Sequence, residues 1–346
     1  MMSFYSFLRS LLFLLDPEIA HRITINYLKM VRSKKSESYN VLRSNVFGLN
    51  FPNPVGIAAG FDKNAEVAEN LINLGFGFSE VGTVTPNPQP GNPKPRIFRL
   101  KDDEAIINRL GFNSDGFDQV KTRLGKINDS IVGVNIGANK DSKDFSEDYI
   151  KGIKFFSTLA SYITINISSP NTPGLRKLEV LENLDVLLDK INNLHKEDLL
   201  IKIPILLKIS PDLKSDNLKY LCDKVLSSEI DGLIISNTTV ARNSITSNLA
   251  QEGGLSGRPL FKSSTLQLRK VYKYTNGEIP LVGVGGIDSA EKAYEKIKNG
   301  ASLVQLYTGL VYNGPKLIKN INKDLSILIE KDGYNNIAEA IGVEVN

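Results

Sequence analysis

Ile163-Thr164-Ile165-Asn166-Ile167-Ser168-Ser169-Pro170-Asn171-Thr172-Pro173-Gly174 is the stretch that decides the fold. An apolar, β-branched run from Ile163 to Ile167 breaks abruptly into hydroxyls, amides and two prolines. A run of this kind reads as a strand buried on both faces, as in a parallel sheet, and polar groups at its carboxyl end stand where α/β barrels keep their chemistry. Ser169 as a covalent nucleophile would need a base. The two histidines, His21 and His195, are not placed at a strand end by any pattern, which disfavours a serine hydrolase. Ser-Ser-Pro-Asn also makes an ordinary capping turn before a helix, so the rest of the chain must choose between a turn and an active-site edge.

Working outward from that strand, the chain repeats one pattern from Pro54 onward. Short apolar runs at Val55–Ala59, Gly77–Val81, Ile131–Ile136, Ile163–Ile167, Ile205–Ile209, Gly232–Ile235, Leu281–Val284 and Leu303–Leu306 predict eight strands. Helical spacing falls between most of them, at Asn64–Leu74, Val180–Leu194, Asp216–Ser227, Ser263–Tyr274 and Ala290–Lys298. Eight βα units predict an α/β fold of the (β/α)8 TIM-barrel type rather than an open sheet, with a small helical extension at the amino end. The interval Val84–Ser130 is too long for one loop, and Pro86, Pro88, Pro90, Pro93 and Pro95 predict an ordered excursion over the barrel mouth. Asp332–Asn346 reads as a short final helix and tail.

Composition agrees with this architecture. The 346 residues accommodate a barrel of about 250 residues plus an appendage, and 41% hydrophobic residues can fill its core. A net charge of +4, from 42 basic and 38 acidic residues, is too balanced to suggest a nucleic-acid partner by charge alone, and leaves room only for a local basic patch; no nucleic-acid partner is expected. Cys222 is the single cysteine, which excludes an intrachain disulfide, a zinc-thiolate site or an iron–sulfur site; no metal site is expected. Redox chemistry would then have to come from a bound organic cofactor.

Phe4–Leu15 is apolar but contains Arg9 and is too short to span a bilayer. Phe4, Phe7, Leu8, Leu11, Leu12 and Leu15 share one helical face opposite Ser3, Ser6 and Ser10. Asp16 and Pro17 supply the cap and first residue of a second helix to about Val31, whose end is basic with Lys29, Arg32, Lys34 and Lys35. This pair suits an anionic membrane surface, and equally a hairpin packed on the main domain with a solvated basic run. Asp16-Pro17-Glu18 in place of a small-residue cleavage site disfavours a signal peptide.

Functional groups follow nearly every strand: Gly60, Asp62 and Lys63, then Thr83, Asn135 with Asn139, Asn166 with Ser169, Ser236 to Thr239, Gly285-Gly286, and Tyr307-Thr308-Gly309. Glycines after the seventh and eighth strands, ahead of helix N-termini, are suited to a phosphate. Gly253-Gly254-Leu255-Ser256-Gly257 reads as another glycine-rich loop. Asn108, Asn166, Asn171 and Asn237 offer amide donors and acceptors matching a planar ring with alternating C=O and N–H groups. Lys63 can neutralise a substrate carboxylate; Lys208, inside a strand run, can stabilise charge on a reduced cofactor or simply pair with a carboxylate.

Taken together, the chain resembles the dihydroorotate dehydrogenase family, in its class 2, membrane-associated and quinone-reducing form. The resemblance is carried by Ala58-Ala59-Gly60-Phe61-Asp62-Lys63-Asn64, Glu80-Val81-Gly82-Thr83-Val84-Thr85-Pro86, Gln89-Pro90-Gly91-Asn92, Asn108-Arg109-Leu110-Gly111-Phe112-Asn113, Asn166 to Thr172, Gly254 to Leu260 and Gly283-Val284-Gly285-Gly286-Ile287. It implies FMN held by Ala59, Gly60, Thr83, Asn135, Asn166, Lys208, Ser236, Gly257, Gly286, Tyr307 and Thr308, with the phosphate on Gly285, Gly286, Tyr307 and Thr308. It implies dihydroorotate gripped by Lys63 on its carboxylate, by Asn108, Asn166, Asn171, Asn237 and Thr238 around its ring, and flanked by Arg109, Leu110, Gly111 and Phe112.

Class 1 members use a cysteine base where Ser169 stands here, and they lack the helical extension. Ser169 would take the C5 proton with a relay through Thr172 and water, and Phe112 would exclude solvent. His21, Arg99 and Tyr307 match positions lining the quinone site. Ser236, Thr308 and Phe61 are small departures that keep a donor or an apolar group. The expected organisation is a segment 1–45 for membrane and quinone access and a catalytic barrel 46–346. The chain is expected to be a monomer, peripheral on the cytoplasmic face of a bacterial inner membrane, because no Arg-rich transit segment precedes the helices. The rival readings are a flavin-free phosphate-barrel isomerase or lyase, a non-catalytic membrane-surface module, and class 1 chemistry with a soluble acceptor. Flavin absorbance and its bleaching by dihydroorotate would separate the first two from the expected enzyme.

Overall fold

Strands made of continuous apolar runs must be covered on both faces, and here they are covered by closing on themselves. The computed structural model describes residues 4–31, 37–127, 129–172, 174–179, 181–197, 202–247 and 251–345. It opens with helices α1 (Phe4–Leu12) and α2 (Pro17–Met30). Asp16 caps α2, its Oδ1 accepting the N–H groups of Glu18 at 2.9 Å and Ile19 at 3.1 Å, with Pro17 as the first helical residue. An antiparallel hairpin follows, β1 (Ser44–Val46) and β2 (Leu49–Phe51).

The barrel begins at β3 (Val55–Ile57), α3 (Ala68–Leu74) and β4 (Phe78–Val84). After β4 the chain makes the excursion β5 (Ile97–Leu100), β6 (Ala105–Asn108) and α4 (Phe117–Leu124). It returns through β7 (Val132–Ile136), α5 (Phe145–Phe156), β8 (Tyr162–Asn166), α6 (Leu181–Glu197), β9 (Ile205–Ile209), α7 (Ser215–Leu226) and β10 (Gly232–Ile235). Then come β11 (Gly254–Gly257), α8 (Phe261–Tyr274), β12 (Leu281–Val284), α9 (Ala290–Lys298), β13 (Ala301–Leu306), α10 (Thr308–Asn313) and α11 (Lys316–Lys331). The parallel strands close in the order β3-β4-β7-β8-β9-β10-β12-β13.

Two layers of core hold this shape. One fills the barrel, with Phe78, Tyr162, Leu206, Ile234, Val282 and Leu303 packed inside and Phe51 of the hairpin closing the amino end. Gly56 and Gly133 make room for the large rings: a Cβ would stand 2.3 Å from Phe78 and 2.1 Å from Tyr162 respectively. The other layer lies between strands and helices, for example Val134, Ile163, Leu184, Ile191, Leu207 and Leu221.

The eight predicted barrel strands and the expected excursion are present, and no helix among the described residues is long and apolar enough to cross a membrane. One expectation is corrected. Gly253–Gly257 is not a free glycine loop: Gly254–Gly257 is strand β11, paired antiparallel with β6 in a three-stranded sheet β11-β6-β5 over the barrel mouth. Glycine suits it because a Cβ on Gly254 would stand 1.9 Å from the Thr238 hydroxyl.

The amino-terminal helices pack on the barrel, as the hairpin reading expected, and leave an apolar face exposed. They dock by polar contacts, with Tyr5 donating to the Val311 carbonyl at 2.7 Å, Arg9 to the Tyr312 carbonyl at 2.7 Å, and Arg96 holding Glu18 through two bonds of 2.9 and 3.0 Å. The opposite face stays bare: Phe7, Leu11, Leu14, Ile19, Ile23, Tyr27 and Met30 are exposed. Lys29 and Arg22 are not free basic charges, because both pair with Glu66. Arg32, Lys34 and Lys35 lie outside the described residues, as do Val180, expected to begin a helix, and Pro173.

Candidate functional site

At the carboxyl end of the barrel the strand termini converge on one cavity. Its floor is a polar network inside the barrel. Glu80, fully buried on β4, accepts from Asn135 (2.8 Å), Tyr162 (3.1 Å), Thr164 (3.3 Å) and Gln305 (2.8 Å). Asn135 in turn accepts from Thr83 at 2.6 Å and from Asn166 at 3.2 Å. Lys208 stands over this carboxylate, its Nζ 3.9 Å from Glu80, and makes no hydrogen bond among the described residues. Burial lowers its affinity for a proton while Glu80 opposes that shift.

Above the floor stand the amides. Asn237 donates to Ser168 Oγ at 2.9 Å and to Asn166 Oδ1 at 3.3 Å, while Asn171 donates to the Asn108 carbonyl at 3.2 Å. Ser169 is buried at the cavity wall, and its Oγ accepts the Asn171 backbone N–H at 3.3 Å. Phe112 lines the same wall with φ +54, a left-handed backbone uncommon for a bulky residue, and Gln89 holds its carbonyl at 2.9 Å. Lys63 lines the cavity half-buried, and burial together with the neighbouring Arg96 charge pushes its ammonium down to about 8. No carboxylate forms an ion pair with it among the described residues. At the far end Gly257, Gly285, Gly286, Tyr307 and Thr308 line the cavity, with Ser256 and Thr308 hydroxyls 2.8 Å apart and α10 starting at Thr308.

Of the sequence-predicted residues, Ala59, Gly60, Thr83, Ser236, Asn108, Leu110, Gly111 and Thr238 also line this cavity. Five predicted residues do not line it. Asn135 lies beneath it, and Thr172 is buried beside Ser169 without bonding to it. Arg109 points outward, stacked 4.7 Å over Phe98 and donating to Gln251 at 2.8 Å. Arg99 faces the helical extension, donating to the Leu15 carbonyl at 2.9 Å with its guanidinium 4.5 Å over Phe13. His21 joins the cavity edge indirectly: it stacks 5.3 Å from Phe61, which stacks 5.5 Å from Tyr307. Burial, with the Lys63 charge, depresses His21 to about 4, and burial raises Tyr307 to about 12.

Two residues were not singled out for a role. Glu80 had a signal, a carboxylate inside an apolar strand run. Arg176 had none; it ties the Ser169 loop by donating to the Ser168 carbonyl (3.0 Å), the Thr238 carbonyl (3.1 Å) and Asp212 (2.8 Å).

The cavity chemistry fits a flat, phosphorylated cofactor beside an anionic ring. Lys63 pairs with no carboxylate among the described residues and Lys208 has only Glu80, at 3.9 Å; planar amides surround the middle, and backbone glycines with a helix start close one end. The dihydroorotate dehydrogenase family model matches residues 41–329. The chain is 49% identical to the dihydroorotate dehydrogenase (quinone) of Parvibaculum lavamentivorans over all of both chains. It is 50% identical to the enzyme of the same description from Chelativorans sp., across 96% of this chain and 93% of that one. The solved dihydroorotate dehydrogenase of Eimeria tenella in complex with ferulenol superposes with a TM-score of 0.89 at 40% identity, covering 95% of this chain and 96% of that one. With matches that run its full length, this chain belongs to the dihydroorotate dehydrogenase family, in its quinone-dependent class 2 branch.

Proposed function

We propose that this chain oxidises dihydroorotate to orotate in pyrimidine biosynthesis, with FMN in the barrel-end cavity and a membrane quinone as final acceptor. The observation that carries the residue assignment is that Ser169, Lys63 and the amides of Asn108, Asn166, Asn171 and Asn237 line one cavity with the glycine pair Gly285-Gly286. Bound there, FMN supplies the hydride acceptor for substrate C6 and the redox link to quinone. Ala59, Gly60, Thr83, Asn166, Lys208, Ser236 and Gly257 would hold it, with Asn135 orienting Thr83 from below and Gly286, Tyr307 and Thr308 taking the phosphate.

Lys63 pairs with the substrate carboxylate, and the amides with Thr238 orient the ring beside Leu110 and Gly111. Ser169 takes the proton from C5 as the C5–C6 double bond forms, passing its own proton onward. The Asn171 N–H already donates to that oxygen, so it stabilises charge developing there. Because Thr172 and Ser169 are not bonded to each other, a relay through Thr172 needs a bridging water. Phe112 covers the reacting face from solvent.

Quinone reaches the far side of the cavity between the helical extension and the barrel, past His21, Arg99 and Tyr307. The bare apolar face of α1 and α2 supports this, since a lipid surface would cover it. Residues 1–45 thus form an access segment and 46–346 the catalytic barrel of a monomer on the cytoplasmic face of a bacterial inner membrane. The visible spectrum of the purified protein tests the reading. A flavin band that bleaches with anaerobic dihydroorotate and returns with quinone supports it; a colourless protein, or a band indifferent to dihydroorotate, overturns it.

A further inference from the structure

Lys296 on α9 is fully buried, away from the cavity and unused by the chemistry above. Its Nζ donates to Ser264 Oγ at 2.8 Å and Thr265 Oγ1 at 3.0 Å, both in the first turns of α8, and lies 5.1 Å from the centre of the Phe261 ring. No carboxylate pairs with it among the described residues. Glu295, its neighbour on α9, is the acid whose field reaches it, while Lys292 on the same ring is already paired with Asp288 at 2.8 Å. Beneath it lies Gly283, where a Cβ would stand 3.1 Å from the Lys296 side chain and 3.1 Å from Ala301. An ammonium held by two neutral hydroxyls and no anion is costly to bury, so the site lacks half of a pair.

The missing half has a direction. The Ser264 hydroxyl, which accepts from Lys296, stands 3.3 Å from the Gly285 carbonyl and 3.1 Å from the Phe261 carbonyl of its own helix, so its one proton is shared between the two. Gly286 backs onto the same turn, where a Cβ would stand 2.7 Å from the Phe261 backbone nitrogen. One hydroxyl therefore separates the buried ammonium from the glycine turn assigned above to the phosphate.

We propose that Lys296 is a positioning residue for the cofactor phosphate, a fixed positive charge acting through Ser264 and the Gly285-Gly286 turn from behind. The inference rests on the phosphate assignment of the preceding subsection. Burial, only partly opposed by Glu295, pushes the Lys296 ammonium down to about 7, and a phosphate dianion on the other side of the turn would restore its charge. By linkage, the ammonium must equally favour the dianion over the monoanion.

Phosphorus NMR of the holoenzyme across pH reads this directly, because a free phosphomonoester takes its second proton near pH ~6. In the unaltered protein the bound phosphate should stay dianionic below that value. In Lys296→Met and Lys296→Gln the midpoint should rise by about one unit, and FMN should be released on dilution about tenfold more readily. Gln keeps a donor for Ser264 and Thr265 without the charge, so it also decides the matter if Met does not fold. Midpoints in the Gln variant equal to those of the unaltered protein, with FMN retained, would overturn the inference and leave the phosphate assignment standing. A bound phosphate that titrates as free in the unaltered holoenzyme would overturn both.

Discussion

Among the described residues no charged side chain hydrogen-bonds to Ser169; what its oxygen has is a backbone N–H from Asn171 and burial. Such a group matters most when charge develops, so Ser169→Ala should lower turnover by roughly 10²–10⁴-fold and leave FMN content and orotate affinity close to those of the parent. Stopped-flow bleaching of the flavin with dihydroorotate and an orotate titration check the two halves; lost orotate binding with retained turnover would refute the role. Lys63 gives a second expectation. Its ammonium, pushed down to about 8, must be protonated to hold a carboxylate, so orotate affinity should fall as pH rises beyond that value, by up to about tenfold per unit. Glu179, buried where it accepts the Ser210 N–H and raised to about 8 by that burial, falls in the same range, so Lys63→Met is the control whose profile should go flat. Much of this site was legible because Lys63, Asn166, Ser169 and Gly285 each stand within a few residues of the carboxyl end of an apolar run. Side-chain direction was not: β6 carries Asn108 at its end, and the next residue, Arg109, turns out to Phe98 and Gln251, which no spacing in sequence announces.

The barrel strands were legible as elements because a strand buried on both faces writes itself as an unbroken apolar run, as in Gly232–Ile235 and Leu281–Val284. β11 was not, because Gly254-Leu255-Ser256-Gly257 has turn composition, and what makes it a strand is its pairing with β6 some 150 residues earlier. Its single large apolar side chain, Leu255, is wholly buried against Leu100, Ala105 and Ile107. Leu255→Ala should therefore cost about 2–3 kcal/mol in the mouth sheet. Since Gly254 pairs with Asn108, whose side chain lines the cavity, the same change should weaken orotate binding more than it lowers the global denaturation midpoint. Orotate titration beside urea unfolding compares the two; an unchanged orotate affinity would mean that the sheet does not position Asn108.

At the scale of the molecule, the question is why a barrel with its cavity already built carries two further helices. The extension contributes little to the barrel core: of α2, Ala20, Ile25 and Leu28 are buried, and its firmest tie is the Glu18–Arg96 pair. It contributes a bare apolar face, and it stacks His21 on Phe61 and so against Tyr307 at the cavity edge. Arg96 links the two parts, since it also holds the carbonyls of Pro90 and Asn92, and Asn92 donates to the Asn171 carbonyl at 3.1 Å. Removing residues 1–40 should thus leave bleaching of the flavin by dihydroorotate in place, abolish reoxidation by a long-chain quinone, and end co-flotation with anionic vesicles. Because the deletion strips Glu18 from a nearly buried Arg96, Glu18→Gln in the full chain separates the two roles. It should loosen orotate binding through Asn92 and Asn171 while flotation persists. Long-chain quinone turnover that survives the deletion would mean that the acceptor reaches the flavin by another route, and the exposed faces of α1 and α2 would then serve only to hold the enzyme at a surface.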